Sequence, residues 1–312
     1  MLRTQICRIF NLEFPIVQGG MLWCAGWRLA SSVSNAGGLG LIGAASMTPE
    51  VLRQQIIKTR ENCDRPFGVN FPIFLRHAEE IIKVLEEENI KIIFTSGGSP
   101  AKYTSRFKSW GAKVAHVCST PGQAEKCQLA GCDAVVVEGF EAGGHNGRDE
   151  LTTMVLVPQA VDAVDIPVIA AGGIVDGRSM AAAIMLGAEG VQVGTRFVAS
   201  REASCNECFK EAVLNCKAED TRLILKKLVP TRVIVNDFAR RAIEAEDSGA
   251  DKEKLSEILG RGRAKTGMAE GDLKDGELEI GQAAALINNI YPAAWIVREM
   301  AMECRRTISS MF

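Results

Sequence analysis

Eight short apolar runs, several closing on glycine, recur along the first two thirds of the chain, and they constrain its fold more than any other feature. They are Pro15-Ile16-Val17-Gln18-Gly19, Gly40-Leu41-Ile42-Gly43-Ala44, Phe67-Gly68-Val69-Asn70, Ile92-Ile93-Phe94-Thr95-Ser96, Val114-Ala115-His116-Val117-Cys118, Ala134-Val135-Val136-Val137-Glu138, Val168-Ile169-Ala170-Ala171-Gly172 and Gly190-Val191-Gln192-Val193-Gly194. Runs this apolar suit parallel strands buried on both faces. Helical patterns lie between them. Residues 50–61 follow Thr48 as N-cap and Pro49 at the first position, and residues 121–130 open after Thr120 in the same way. Residues 78–89 carry Ile81, Ile82, Val84 and Leu85 between acids, and residues 178–186 are small and apolar. A strand-and-helix rhythm of about 20–30 residues belongs to βαβ units. Eight of them in about 200 residues predict an α/β fold closed as a (β/α)8 TIM barrel.

The rhythm stops after Ser200. Residues 1–200 are therefore expected to form the barrel. Residues 201–276, polar and helix-prone, are expected to form a small helical subdomain, inserted after the eighth strand, that serves substrate or nucleotide. Residues 277–312 are expected to return to the barrel as helices, with a break near Tyr291-Pro292.

Composition narrows the partners. A formal net charge of −2 and the absence of a basic arm speak against nucleic acid. The first residues lack the apolar centre of a signal peptide, and no apolar run reaches about 18 residues, so the expectation is a cytoplasmic protein with no membrane span. The ten cysteines then read as reduced, mostly buried thiols. Cys205 and Cys208 form a lone C-x-x-C near Cys216 without the second pair that a zinc site wants, so no metal is expected.

In a barrel of this kind chemistry gathers at the C-terminal ends of the strands. Gly19-Gly20-Met21 follows the first run, Asn70 ends the third, and Glu138 through His145 follows the sixth. Gly172-Gly173 follows the seventh and Gly194-Thr195 the eighth. Loops after the last two strands commonly hold phosphate, where glycine lets backbone N–H groups approach an anion. The plain alternative is a pair of tight turns. His145 follows Gly143-Gly144 in a loop at this face, which suits general acid work or carbonyl polarisation. His77, in a charged helical stretch, is expected at the surface, and His116, inside a strand, is expected in the core. Asn70 offers a donor and an acceptor to the edge of a heterocycle, or caps a turn. Glu138 either accepts from a ligand hydroxyl or forms a salt bridge.

These segments resemble the nitronate monooxygenase / 2-nitropropane dioxygenase superfamily, and within it most the bacterial enoyl-acyl-carrier-protein reductase II branch. The likeness runs through Phe14-Pro15-Ile16-Val17-Gln18-Gly19-Gly20-Met21, Val33-Ser34-Asn35-Ala36-Gly37-Gly38-Leu39-Gly40, Pro66-Phe67-Gly68-Val69-Asn70 and Glu138-Gly139-Phe140-Glu141-Ala142-Gly143-Gly144-His145. It continues through Thr152-Thr153-Met154, residues 166–174 and residues 186–197. The resemblance implies non-covalent FMN, with Asn70, Glu138 and Gly143 on the flavin and Gly20 and Met21 lining its ring. It places Gly172, Gly173, Gln192, Val193, Gly194 and Thr195 around the ribityl phosphate, and His145 as the active-site histidine. Asn146 stands where the reductases often carry Ile, and two extra residues precede Thr152.

The activity so implied is transfer of hydride from NAD(P)H through FMN to a trans-2-enoyl thioester carried on acyl carrier protein, in fatty-acid biosynthesis, by a homodimer. Gly271-Asp272-Leu273 and Glu277-Leu278-Glu279-Ile280-Gly281-Gln282 favour that branch. The alternative is a nitronate monooxygenase using FMN and dioxygen; the non-enzyme alternative is a flavin-binding sensor. A nucleotide dehydrogenase acting through a covalent cysteine is disfavoured, because no Cys lies between Cys132 and Cys205. One basic segment, Gly260-Arg261-Gly262-Arg263-Ala264-Lys265, is either a helix C-terminus with dipole-matched cations or an anion site for a nucleotide or an acidic carrier protein.

Overall fold

The computed structural model describes residues 4–310. Among them, eight parallel strands form one sheet: β1 (Ile16–Gln18), β2 (Gly40–Gly43), β3 (Phe67–Pro72), β4 (Ile92–Ser96), β5 (Lys113–Cys118), β6 (Ala134–Glu138), then β8 (Val168–Ala171) and β9 (Gly190–Val193). A two-residue strand β7 (Gly144–His145) stands apart from them. The barrel closes where Val17 bridges Leu39, with Gln18 N–H donating to Leu39 O at 2.8 Å and Leu39 N–H to Ile16 O at 2.8 Å. Buried Gln18 stitches the same seam, since its Oε1 accepts from Leu41 N–H at 3.1 Å.

The apolar runs are continuous because each strand has two dry faces. Val17, Leu41, Phe94, Ala115, Val136, Ile169 and Ala171 point into the barrel, where Ile6 and Phe10 of helix α1 (Gln5–Phe10) join them. The alternate residues Ile16, Ile42, Val69, Ile93, Val114, Val135, Val137 and Val191 face outward onto the helices. Those are α2 (Trp27–Asn35), α3 (Pro49–Glu61), α4 (Ala78–Glu87), α5 (Thr104–Ser109), α6 (Pro121–Leu129), α7 (Thr153–Ala163) and α8 (Gly177–Met185). Thr48 and Thr120 cap α3 and α6 as their sequence signatures predict, accepting from Val51 N–H and Gln123 N–H at 3.3 Å each. Asn70 does not end its strand: β3 runs two residues further, to Pro72.

The segment after the barrel departs from an all-helical reading. Short α9 (Thr195–Val198) and α10 (Glu207–Leu214) are followed by the antiparallel hairpin β10 (Thr221–Ile224) and β11 (Thr231–Ile234). Helices α11 (Asp237–Asp247) and α12 (Lys252–Leu259) complete it. The runs Thr221-Arg222-Leu223-Ile224 and Thr231-Arg232-Val233-Ile234 are rich in β-branched residues, a strand signal that surrounding polarity obscures. This subdomain owns a small core of Ile224, Leu225, Val233, Phe238, Ala242 and Leu255. Helix α10 instead sends Phe209 and Val213 into the main core. Near the end, Gln282–Leu286 is only a 3-10 turn, and the long helix is α13 (Ala293–Ser309), with Pro292 at its N-cap. It packs on α8 and α2. No helix among the described residues is long and apolar enough to cross a membrane.

Candidate active site

The C-terminal strand ends form one rim, and the residues singled out in the sequence converge on it. Gly20 lies so close to Asn70 that a Cβ there would fall 2.1 Å from Asn70 Cβ. The Asn70 side chain is buried and its Nδ2 donates to Phe94 O at 3.3 Å, which leaves Oδ1 free to accept. Met21 reaches across the rim to Gly194, whose added Cβ would meet only Met21 Sδ, at 3.7 Å. Gly172 and Gly173 both adopt positive φ, +90° and +69°. They differ in purpose. A Cβ on Gly172 would strike Gly139 O at 2.6 Å, whereas one on Gly173 would meet Glu141 Cβ at an ordinary 3.4 Å. Gly172 therefore serves close packing, whereas a Cβ at Gly173 would make only ordinary van der Waals contact with Glu141 at the rim.

The loop from Glu138 to His145 is held from several sides. Arg232 Nε donates to Phe140 O at 2.9 Å while its guanidinium lies 5.0 Å over the Phe140 ring. Glu141 accepts from Thr153 N–H and from Thr153 Oγ1, each at 3.0 Å. Asn146 Nδ2 donates to Ala142 O at 2.9 Å and Gly144 O at 3.2 Å, so this departure from the resembled pattern braces the loop from within. Gly143 packs on the segment after Gly276, where a Cβ would fall 2.5 Å from Gly281 N. The loop ends in β7, which pairs with β11: His145 faces Thr231 and Gly144 faces Arg232. The hairpin of the subdomain thus presents His145 to the barrel mouth. Its ring is open to solvent on one side, with Phe74 at 6.5 Å between ring centroids. Protein around the rest of it disfavours the charged form and lowers its pKa, against the opposing pull of Glu277.

Burial alone, with no cation opposite, pushes the Glu138 carboxyl up to about 7. The salt-bridge alternative for Glu138 is therefore not what the structure shows. Gln192 Oε1 is a buried acceptor without a partner. Thr195 Oγ1 accepts from Gly281 N–H at 3.1 Å and keeps its own proton to donate. Val193 is a core residue whose carbonyl accepts from Gly19 N–H at 3.0 Å. An unfilled acceptor, an unpartnered acid, an available hydroxyl proton and a glycine rim fit the phosphorylated, hydroxyl-bearing flavin that the sequence resemblance implies.

The sequence model of the nitronate monooxygenase family matches residues 3–89 and 75–303. This chain belongs to that family. Its relatives carry different activities in their names. A probable nitronate monooxygenase of Staphylococcus saprophyticus is 32% identical over 96% of each chain. A 5-hydroxy-7a-methyl-1-oxo-octahydro-indene-4-carboxyl-CoA dehydrogenase of Rhodococcus jostii is 38% identical over 76% of this chain and 67% of its own length. Its Mycobacterium tuberculosis counterpart is 37% identical, and the alignment spans 64% of that protein. Among solved structures, FabK from Thermotoga maritima superposes with a TM-score of 0.95 at 41% identity, covering 100% of this chain and 99% of that one. A nitroalkane oxidase from Streptomyces ansochromogenes gives 0.84 at 27% identity, covering 98% and 99%.

Two other histidines lie where their patterns predict. His77 is exposed, and His116 is buried with Nδ1 2.7 Å from Thr95 Oγ1, its pKa lowered to about 4 by burial. Cys205 is buried and Cys208 exposed, and among the described residues no three His, Cys, Asp or Glu side chains are grouped to hold a metal. The acids Glu277 and Glu279, on the segment that pairs with β11 through Val233, belong to the sequence likeness but are not singled out there as site residues. Glu277-Leu278-Glu279-Ile280 alternates with a period of two, and that alternation was the available signal.

Proposed function

We propose that this chain is an FMN-dependent enoyl-acyl-carrier-protein reductase that uses NAD(P)H to reduce trans-2-enoyl thioesters in cytoplasmic fatty-acid biosynthesis, as a homodimer. The observation that carries the reading is His145 held over the barrel mouth by β7, in a chain that is like FabK over its whole length at 41% identity. The carboxyl-CoA dehydrogenase relatives add support for a thioester substrate. FMN, when bound, supplies hydride transfer between the nicotinamide and the enoyl β-carbon. Gly173, Gly194 and the Thr195 hydroxyl would hold its phosphate, and Gln192, Glu138 and Asn70 its polar edges and hydroxyls. His145 would donate a hydrogen bond to the thioester oxygen, where negative charge grows as hydride arrives. The tilted Phe74 ring would limit water on the open side of that bond.

A second reading, nitronate monooxygenase, has the family match and the Staphylococcus relative in its favour. Anaerobic mixing separates the two. On the reductase reading NADH or NADPH bleaches flavin absorbance without oxygen, and crotonyl thioester restores it. Bleaching by an alkyl nitronate but by neither nucleotide would assign the monooxygenase. His145→Ala should slow the enoyl step at least about tenfold while leaving FMN content unchanged. Parallel loss of FMN and turnover would remove His145 from that role.

A further inference from the structure

Ile73 continues the β3–β4 ladder past the end of β3, since its N–H donates to Ser96 O at 2.8 Å. Successive side chains on an extended chain point to opposite faces. Val69, Phe71 and Ile73 turn outward onto the helices, where the Phe71 ring meets Phe107 of α5 edge-on at 5.7 Å. Asn70 and Phe74 therefore share the other face, which looks toward the barrel axis, and Phe74 stands nearer the mouth. The chain then turns, with Leu75 N–H on Pro72 O at 3.3 Å. The Phe74 ring is seated on the loop after β4. Gly97 there has a φ of +64°, and a Cβ on it would fall 2.6 Å from Phe74 Cε1. The loop carrying His145 rests on the loop after β5, since a Cβ on Gly147 would run into the Ser119 side chain. The two rings come together between these supports, with centroids 6.5 Å apart. Phe74 is nevertheless 62% exposed, whereas Phe71 is fully buried. Among the exposed large apolar side chains of the described residues, Phe74 is the one in ring contact with His145.

We infer that Phe74 selects the acyl chain: its exposed ring is the contact surface for the alkyl tail of the enoyl thioester beyond the β-carbon. The inference rests on the proposed reductase activity, in which His145 holds the thioester oxygen. The acyl group then lies within reach of the ring beside His145, and that ring is Phe74. An alkyl tail has no polar group to satisfy and gains only by leaving water. Full withdrawal is worth about fourfold in affinity per methylene. One ring face covers a methylene from a single side, so about twofold for each is the expectation. The nicotinamide is the other flat group that must enter the mouth, but its carboxamide wants polar partners and the Phe74 ring offers none. Gly97 matters because any side chain there would lift the ring from its seat.

The test uses the FMN-loaded protein and two substrates on one short thiol, crotonyl and trans-2-octenoyl N-acetylcysteamine, so that contacts with a carrier drop out. In the unaltered protein kcat/KM should be about tenfold higher for octenoyl, which has four further methylenes. Phe74→Ala is a surface change that leaves the fold intact. It should lose about tenfold with octenoyl and less than about twofold with crotonyl. Phe74→Leu should recover about half of that loss on a logarithmic scale. Gly97→Ala, which keeps the ring but displaces it, should also slow octenoyl selectively. FMN content and bleaching by NAD(P)H should stay within about twofold in all of these variants. Equal loss with both substrates, or loss with neither, overturns the inference. A raised KM for NAD(P)H at unchanged chain-length preference overturns it too, and gives the ring to the nicotinamide. The saturated butanoyl and octanoyl thioesters provide a reading independent of turnover. Calorimetry should show octanoyl binding about tenfold tighter than butanoyl, and equal affinity for the two in Phe74→Ala. If the unaltered protein reduces no enoyl thioester, the proposed function fails, and the binding pair still decides whether Phe74 contacts a chain.

Discussion

The hydroxyl of Thr195 accepts the N–H of Gly281 at 3.1 Å, which ties the loop after the last barrel strand to the segment that returns from the subdomain. One side chain thereby serves two purposes. Its lone pair fixes Gly281 beside Gly143, and its proton remains for an anion. Thr195→Val should weaken FMN binding by about 10- to 100-fold, the usual worth of a hydrogen bond to a charged group. Thr195→Ser should stay within about threefold. Titration of apo-protein by flavin fluorescence gives both numbers, and equal affinity for all three proteins would move the phosphate elsewhere.

Glycines at the rim and glycines in the packing should respond differently. A Cβ on Gly194 meets nothing nearer than Met21 Sδ at 3.7 Å, and its φ of −104° is open to any residue. Gly194→Leu should therefore keep apo-protein stability within about 0.5 kcal/mol and still expel FMN. Gly173→Leu should also expel it, with an added backbone cost of about 1–2 kcal/mol from its positive φ. Gly40→Ala makes the contrast, because its Cβ would lie 2.0 Å from Ala30 O. It should cost about 3 kcal/mol or more. Denaturant melts alongside flavin occupancy distinguish the two classes; full occupancy in both rim variants contradicts the assignment.

The Glu138 carboxyl gives a pH-dependent signature. Its folded pKa of about 7 lies above the ordinary carboxylate value of 4.5, so the folded state retains a proton that the unfolded chain has lost. Stability from this group is complete below about pH 4.5 and is lost as pH rises through about 7. Glu138→Gln removes the titration. The FMN-free variant should become progressively more stable than the parent between pH 5 and 7, by about 2–3 kcal/mol at the plateau. Urea unfolding at four pH values measures it, and a pH-independent difference would show that Glu138 is not held protonated.

The basic segment after α12 separates into two unlike arginines. Arg263 bonds two carbonyls and stacks 4.6 Å over Phe238, so it ends the helix. Arg261 instead lines a surface crevice with Lys252, Ser256 and Glu257. Arg263→Ala should cost about 1–3 kcal/mol of stability, and Arg261→Ala no more than about 0.5 kcal/mol. Thermal melts check this. With stability intact, Arg261→Ala is also the variant in which to compare NADH, NADPH and carrier-bound substrate, and loss confined to one of them identifies the anion it meets.

The sequence by itself determined the barrel, its rim and the family. Strand and helix periodicity is local, and a parallel strand with two dry faces must be written as an apolar run, as Val135, Val136 and Val137 illustrate by burying alternately outward and inward. The glycine loops were legible because they follow directly on such runs, and His145 was legible seven residues past the sixth run, after Gly143-Gly144. The tertiary structure alone decided what stands around His145. Its strand is two residues long and its partner Thr231 lies far along the chain, so the strand signals at residues 231–234 and 277–280 do not show that these segments come together beside it. The same holds for the acids. Glu277 and Glu279 stood out in the sequence only as part of the likeness through residues 277–282, and it is burial, joined at Glu277 by the charge of Glu279, that raises both to about 7. Desolvation depends on what surrounds a group in space, and a one-dimensional sequence does not record that.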